Sequence, residues 1–212
     1  MKSLVFHYFY CEVLFLPQLE KINFQYNNTI NAVSKKQYDV HLELYEGYIN
    51  KVNEIWSELM TAPDREKANA TYSKYRGLKK GETYALDGVI LHELYFDNLG
   101  GTDNTPNGVA LDFINSFFGS YDNWKNDFIA CGKAARGWAI LAYDQRSKSM
   151  INMLCDSHDE GIIMNAYPLV VMDVYEHAYF VDYQNKKADY IDKFMMDINW
   201  NAVNRRAQKL VK

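Results

Sequence analysis

The sequence predicts an α+β fold: a long N-terminal helical hairpin, then a C-terminal half with a small three-stranded antiparallel sheet packed with helices. Three observations carry this expectation. Val40, Leu44, Gly47, Tyr48, Lys51, Val52, Ile55 and Leu59 recur at spacings of three and four, the period of one helix face. Three short apolar runs at 137–143, 149–154 and 169–172 read as strands. Between these two textures lies GGTDNTPNG, Gly100 to Gly108, a loop composition and a natural boundary.

Taken in order, residues 1–33 form an N-terminal arm. Its run from Ser3 to Pro17 is apolar and follows a single lysine, a faint likeness to an export signal. His7 and Glu12 interrupt it, however, and no small-residue cleavage site follows. The hairpin occupies 34–104. Ser34 is placed to cap its first helix, a polar stretch from Thr61 to Gly81 connects, and the second helix is expected from near Thr83 to just before Gly100. The C-terminal unit, 105–212, opens with helices over 111–118 and 123–134. The strands follow, the first two joined by a turn at Asp144-Gln145-Arg146-Ser147. After Asp173 the chain is helical to its end.

Composition narrows the function classes. A hydrophobic fraction of 48% in 212 residues supports a folded core and argues against disorder. Net charge of −4 gives no footprint for nucleic acid. No segment is long and apolar enough for a membrane span. The 3 cysteines are widely spaced with no CxxC pair, which suits reduced thiols and a cytoplasmic address, with export through the poor N-terminal signal as the alternative. No GxGxxG, P-loop, HExxH or GxSxG pattern is present.

The informative residues are the 5 histidines. Any one of them alone is more simply a hydrogen-bonded core residue than a ligand. Their setting changes this. His41 shares a helix face with Tyr45 and Tyr48, at i, i+4 and i+7. His92 lies inside the apolar stretch of the second helix. Asp173 and His177 straddle the junction between the last strand and the helix after it. Three neutral imidazoles and one carboxylate suit a redox-active first-row metal such as iron or manganese. Zinc stays open on ligand type, as does a mononuclear non-haem iron oxygenase with two histidines and a carboxylate, or a catalytically silent structural or interaction protein.

The blocks GETYALDGVILHELYFDNLGG (81–101), GSYDNWKNDFIACGKAARGWAILAY (119–143) and DVYEHAYFVDYQNKKADYIDKFMMDINWNAVN (173–204) carry a family likeness. The chain resembles the iron/manganese superoxide dismutases from about Ser34 to Arg206. Asp173-Val174-Tyr175-Glu176-His177-Ala178-Tyr179 is similar to that family's DxWEHAY signature. The resemblance implies one iron or manganese ion per subunit held by His41, His92, Asp173 and His177, superoxide as substrate, and a homodimer or tetramer in which Glu176 reaches His177 of the other subunit. It implies a gateway tyrosine at Tyr48, one residue earlier than the family's usual spacing, with Tyr45 as the other candidate. Tyr45 otherwise stands where the family has a histidine that bonds a partner-subunit tyrosine, and that tyrosine's position is Phe180 here. Trp138 remains of an aromatic shell whose other tryptophans are replaced by Phe96 and Tyr175. The outer-sphere glutamine is replaced as well: its helical position is Gly88 and its sheet position is His158. His158 also reads as a loop histidine among Ser157, Asp159 and Glu160. Lys187 stands where an arginine often steers the anion, and it also reads as a solvated surface lysine.

Overall fold

The computed structural model describes residues 18–61, 64–102 and 105–211. The expectations for Ser3–Pro17, including His7 and Cys11, lie outside the described residues. The first helix, α1, spans Lys35–Thr61. Ser34 does cap it: its Oγ accepts the Gln37 N–H at 3.1 Å. The second, α2, spans Lys74–Asn98 and packs along α1.

The start of α2 corrects the sequence expectation, which placed it near Thr83. The helix begins instead at Lys74, where the Ser73 hydroxyl accepts the Arg76 N–H. The segment between is polar, but Lys, Arg and Glu are good helix formers. Polarity there marks a solvent-facing helical turn, and Trp56 of α1 holds it by donating Nε1–H to Glu82 at 3.0 Å.

After α2 the chain turns sharply at Gly100, whose φ of +75° suits glycine. Gly101 then runs so close to the backbone of Ile198 that a Cβ would sit 2.3 Å from its carbonyl oxygen. The Asp197 carboxylate receives the N–H groups of Asn31 at 2.9 Å and Gly100 at 3.2 Å. One acid therefore ties the N-terminal arm and the hairpin's end to the C-terminal helices.

Helices α3 (Gly108–Phe118) and α4 (Tyr121–Ala134) precede the sheet. Strands β1 (Trp138–Asp144), β2 (Ser149–Cys155) and β3 (Ala166–Asp173) pair antiparallel in the order β2-β1-β3. The expected turn forms, with Asp144 accepting the N–H groups of Arg146 and Ser147 at 3.1 and 3.0 Å. Three helices close the chain: α5 (Glu176–Tyr183), α6 (Lys187–Asp197) and α7 (Trp200–Ala207).

Strand β3 matters most for the site, because it ends on Asp173. It is an edge strand, and its outward groups are covered. Arg206 donates to the Leu169 carbonyl at 2.9 Å and Asn98 to that of Val171 at 3.3 Å. Covering these carbonyls removes both the cost of burying them bare and an open edge. The register with β1 slips between Leu141 and Ala142, opposite Pro168, which has no N–H to give the ladder. Leu169 to Asp173 are all fully buried. Trp138 pairs across from Asp173, and Val174 N–H donates to the Gly137 carbonyl at 2.8 Å, so the end of β3 is fixed to the start of β1.

Candidate metal centre

His41 from α1, His92 from α2, Asp173 from the end of β3 and His177 from the first turn of α5 converge on one point. One ligand atom from each lies within 4.8 Å of the others. Asp173 Oδ2 is 3.0 Å from His41 Nε2, 3.1 Å from His177 Nε2 and 3.8 Å from His92 Nε2. All four are buried except His177, whose side chain keeps 28% exposure.

Local structure explains each placement. Asp173 Oδ1 accepts the Tyr175 N–H at 2.9 Å, which closes the strand-to-helix turn and leaves Oδ2 for the imidazoles. Its carbonyl is held from behind by the Tyr190 hydroxyl at 2.8 Å. His92 Nδ1 donates to the Gly88 carbonyl one helical turn back, at 2.6 Å. That bond sets the tautomer and turns the Nε2 lone pair toward the cluster. Gln37, fully buried, donates to the His177 carbonyl at 2.6 Å and accepts the Val181 N–H at 3.0 Å, so α5 is strapped to α1. Sequence reasoning missed this residue, because Ser34-x-x-Gln37 looks like an ordinary capping box with the glutamine turned back on its own helix.

The electrostatics favour a ligand set. Burial pushes the His92 imidazolium pKa down to about 3, the neighbouring His41 adding to the effect. Burial also lowers that of His41, against the pull of Asp173. Burial opposes ionisation of Asp173, but His177 and His41 more than offset it and hold the carboxyl well below the usual range. His177 also loses to burial, and the Asp173 charge then carries its pKa above the ordinary value. A metal fits this arrangement. His92 Nε2 is buried with no hydrogen-bond partner among the described residues; the only other such side-chain nitrogen is Trp200 Nε1. A buried lone pair aimed at a carboxylate and two more imidazoles is costly unless a cation sits between them.

Next to this cluster stands His158, which is fully buried, 0% exposed, and so is no surface-loop histidine. Trp138 Nε1–H donates to its Nδ1 at 3.0 Å, and its Nε2 lies 2.7 Å from the Tyr48 hydroxyl. Indole N–H can only donate, so Nδ1 accepts and the neutral ring carries its proton on Nε2. Burial lowers the His158 pKa to about 4, so the ring is neutral near pH 7. Gly88 makes the room: a Cβ there would press within 3.2 Å of the Tyr48 ring and 3.3 Å of His158 Cδ2. The Tyr48 ring lies 5.4 Å from that of His92, centroid to centroid. Tyr175 stacks on His177 at 5.0 Å, and Trp138 meets His92 edge-on at 5.1 Å.

Tyr45 is one layer away. It packs on Phe96, which packs on His41. Its hydroxyl accepts the Ile22 N–H at 2.9 Å and donates to Glu93 at 2.8 Å. Lys187 is half-buried and donates to the Ala135 carbonyl beyond the end of α4 at 2.5 Å. Glu176 is exposed beside His177, and Phe180 on the same helix is 50% exposed.

The family description "iron/manganese superoxide dismutases, C-terminal domain" matches residues 106–206. An iron superoxide dismutase of Aquifex aeolicus is 42% identical over 187 residues, covering 86% of this chain and 88% of its own. A manganese superoxide dismutase of Halobacterium salinarum is 33% identical over 81% of this chain and 83% of its own. An iron superoxide dismutase of Saccharolobus solfataricus is 31% identical over 84% and 86%. With a three-histidine, one-carboxylate cluster built where hairpin, sheet and α5 meet, the chain belongs to the iron/manganese superoxide dismutase family.

Proposed function

We propose that the protein is a superoxide dismutase that binds one iron or manganese ion per chain through His41, His92, Asp173 and His177. The single observation that carries this is the orphaned, buried His92 Nε2 facing Asp173 and two further imidazoles. Such an ion supplies reversible one-electron chemistry, which lets two superoxide anions and two protons become dioxygen and hydrogen peroxide.

The residues do the rest. Three neutral imidazoles and one carboxylate would leave a bound trivalent cation with residual positive charge, a set that favours approach of an anion. Asp173, as the only anionic ligand, confines the ion, and the Tyr190 and Tyr175 hydrogen bonds hold it in place. The two protons have to reach the site through a shell of aromatic side chains. His158 and Tyr48 are the hydrogen-bonded pair that can bring them, because His158 Nε2–H donates to the Tyr48 oxygen and leaves the phenolic proton free. His158 in this role takes the place of an outer-sphere amide. Trp138 and Tyr175 pack the site and exclude water. Tyr45 supports this shell from one layer out. Lys187, held on the Ala135 carbonyl, is the cation that steers the anion.

The assembly is a homodimer or tetramer, with Glu176 bonding the free ring nitrogen of His177 on the other subunit. The exposed edge of His177 and the exposed Phe180 support that reading. No helix among the described residues is long and apolar enough to cross a membrane. A cytoplasmic address rests on Cys131 and Cys155, both free thiols.

The test is metal analysis of the purified protein together with pulse-radiolysis measurement of superoxide decay. Near-stoichiometric iron or manganese and catalysed decay are expected. A chain that loads neither metal, or loads one and leaves superoxide untouched, refutes the proposal. Sedimentation at micromolar concentration tests the dimer, and a monomer refutes it.

A further inference from the structure

We propose that Gln37 is a positioning residue for the metal centre: its carboxamide stands in one rung of α5 and so fixes the spacing of His177 from His41. The inference rests on the dismutase reading above and concerns how its ligand set is held. Gln37 is fully buried on α1, one turn before His41 and on the same face. Its Nε2–H donates to the His177 carbonyl at 2.6 Å, and its Oε1 accepts the Val181 N–H at 3.0 Å. Those two backbone groups are four residues apart, the pair that an α-helix joins directly. Here one side chain from another helix serves both.

Helix α5 is short. It has 8 residues, hence about four such rungs. Handing one of them to α1 makes the first turn of α5 depend on α1 for its hydrogen bonding, and the rung handed over begins at a ligand residue. His177 is also the least buried of the four ligands, with a side chain 28% exposed. The rings of His41 and His177 lie 5.1 Å apart, centroid to centroid, and both reach Asp173 Oδ2. Gln37 and His41 share α1, so the amide sets His177 against the helix that supplies its neighbour. Ser34 makes a second tie between the helices, from its N–H and Oγ to Asp182, both at 2.6 Å, but that tie is exposed. Water can replace an exposed hydrogen bond, whereas the buried one has no substitute. Without the amide, the Val181 N–H is free to close on the His177 carbonyl. That closure would draw the first turn of α5 away from α1, and His177 with it.

Gln37→Met keeps the bulk and removes both hydrogen bonds. Val52→Ala is the control: a fully buried residue about three turns along α1 from His41, whose truncation loosens the hairpin without touching α5. Metal-loaded Gln37→Met should lose iron or manganese to a chelator roughly tenfold faster than wild type, with a changed electron paramagnetic resonance spectrum. Val52→Ala should release metal at the wild-type rate with the wild-type spectrum, although its thermal stability falls as well. A measurement that needs no variant uses the metal-free protein labelled with ²H, ¹³C and ¹⁵N. The Val181 nitrogen should show coupling through the hydrogen bond to Gln37 Cδ. Coupling to the His177 carbonyl carbon instead overturns the inference, as does a Gln37→Met protein that matches Val52→Ala in metal release and spectrum. A wild type that binds neither iron nor manganese overturns the dismutase reading beneath it.

Discussion

The two sides of the imidazole cluster differ in what their polar groups are tied to. On the inner side, Tyr190 binds the Asp173 carbonyl, Gln37 binds the His177 carbonyl, and both are fully buried. Their partners are backbone groups, which neither titrate nor move. On the outer side, Trp138, His158 and Tyr48 bind one another, side chain to side chain, beneath the ring of the exposed Tyr84. The inner side fixes geometry and the outer side can pass a proton. Substitutions on the inner side should therefore cost metal, whereas those outside should cost turnover or local stability.

The largest break is expected on the inner side. Asp173→Ala leaves three imidazoles to hold a cation that has lost its only anionic side-chain ligand. Metal affinity should fall more than about a hundredfold, and activity should disappear with it. Elemental analysis of the purified variant checks this, and full occupancy would contradict the ligand assignment.

On the outer side, His158 should make the metal-free protein acid-sensitive. Its pKa falls from the ordinary 6.5 to about 4 on burial, so between those values the unfolded chain takes up a proton that the folded chain refuses. Stability should drop as pH falls from about 6.5 to 4 and then level off for this group. The loss is about 3 kcal/mol, from roughly 1.4 kcal/mol per unit. His158→Gln should remove that component, with urea midpoints against pH as the measure. Identical slopes for variant and wild type would show that His158 does not bear the cost. In the loaded protein His158→Gln should alter turnover or metal preference with metal content near normal, since it keeps a donor and loses a titratable ring.

The four cluster residues were legible because helix period and strand-to-helix junctions put their side chains on predictable faces, and because the blocks around them resemble a known family. The sheet was legible from its apolar runs. Burial of His158 was less so: Ser157, Asp159 and Glu160 around it signal a loop, and only the missing side chain at Gly88 leaves room for the imidazole. Gln37 left no signal beyond a capping pattern. The early turns of α2 were missed because helix-forming charged residues and loop residues look alike to a hydrophobic pattern.

A sharper test of the outer side uses its packing. Gly88→Gln would push a side chain against Tyr48 and His158, which already lie within 3.2–3.3 Å of where its Cβ would be. Overpacking of this kind costs about 1–3 kcal/mol, partly offset by the better helix propensity of glutamine. Pairing it with His158→Gly should recover most of the loss, because one side chain then occupies the space of the other. Thermal denaturation of both variants decides the matter: a double variant no more stable than Gly88→Gln would mean that the two positions do not share that space.

The smallest effect is expected one layer out, at Tyr45. Tyr45→Phe keeps the contact with Phe96 but takes an acceptor from the Ile22 N–H and a donor from Glu93. A lost hydrogen bond of this kind costs about 1 kcal/mol. The pH dependence has a definite sign. Burial already raises the Glu93 pKa, and the Tyr45 bond opposes that rise, so removing the bond should raise it further. A carboxyl with a raised folded pKa loses stability as pH climbs through that value, because the folded state then has to release a proton it prefers to keep. The variant should accordingly be closer to wild type below about pH 4.3, where Glu93 is protonated in both states, and furthest from it near pH 7. Its dismutase activity should be unchanged, since neither hydrogen bond reaches His41, His92 or the His158–Tyr48 pair. If Tyr45→Phe instead lowers turnover as much as a change at Tyr48, the layer assigned here to support belongs to the working shell.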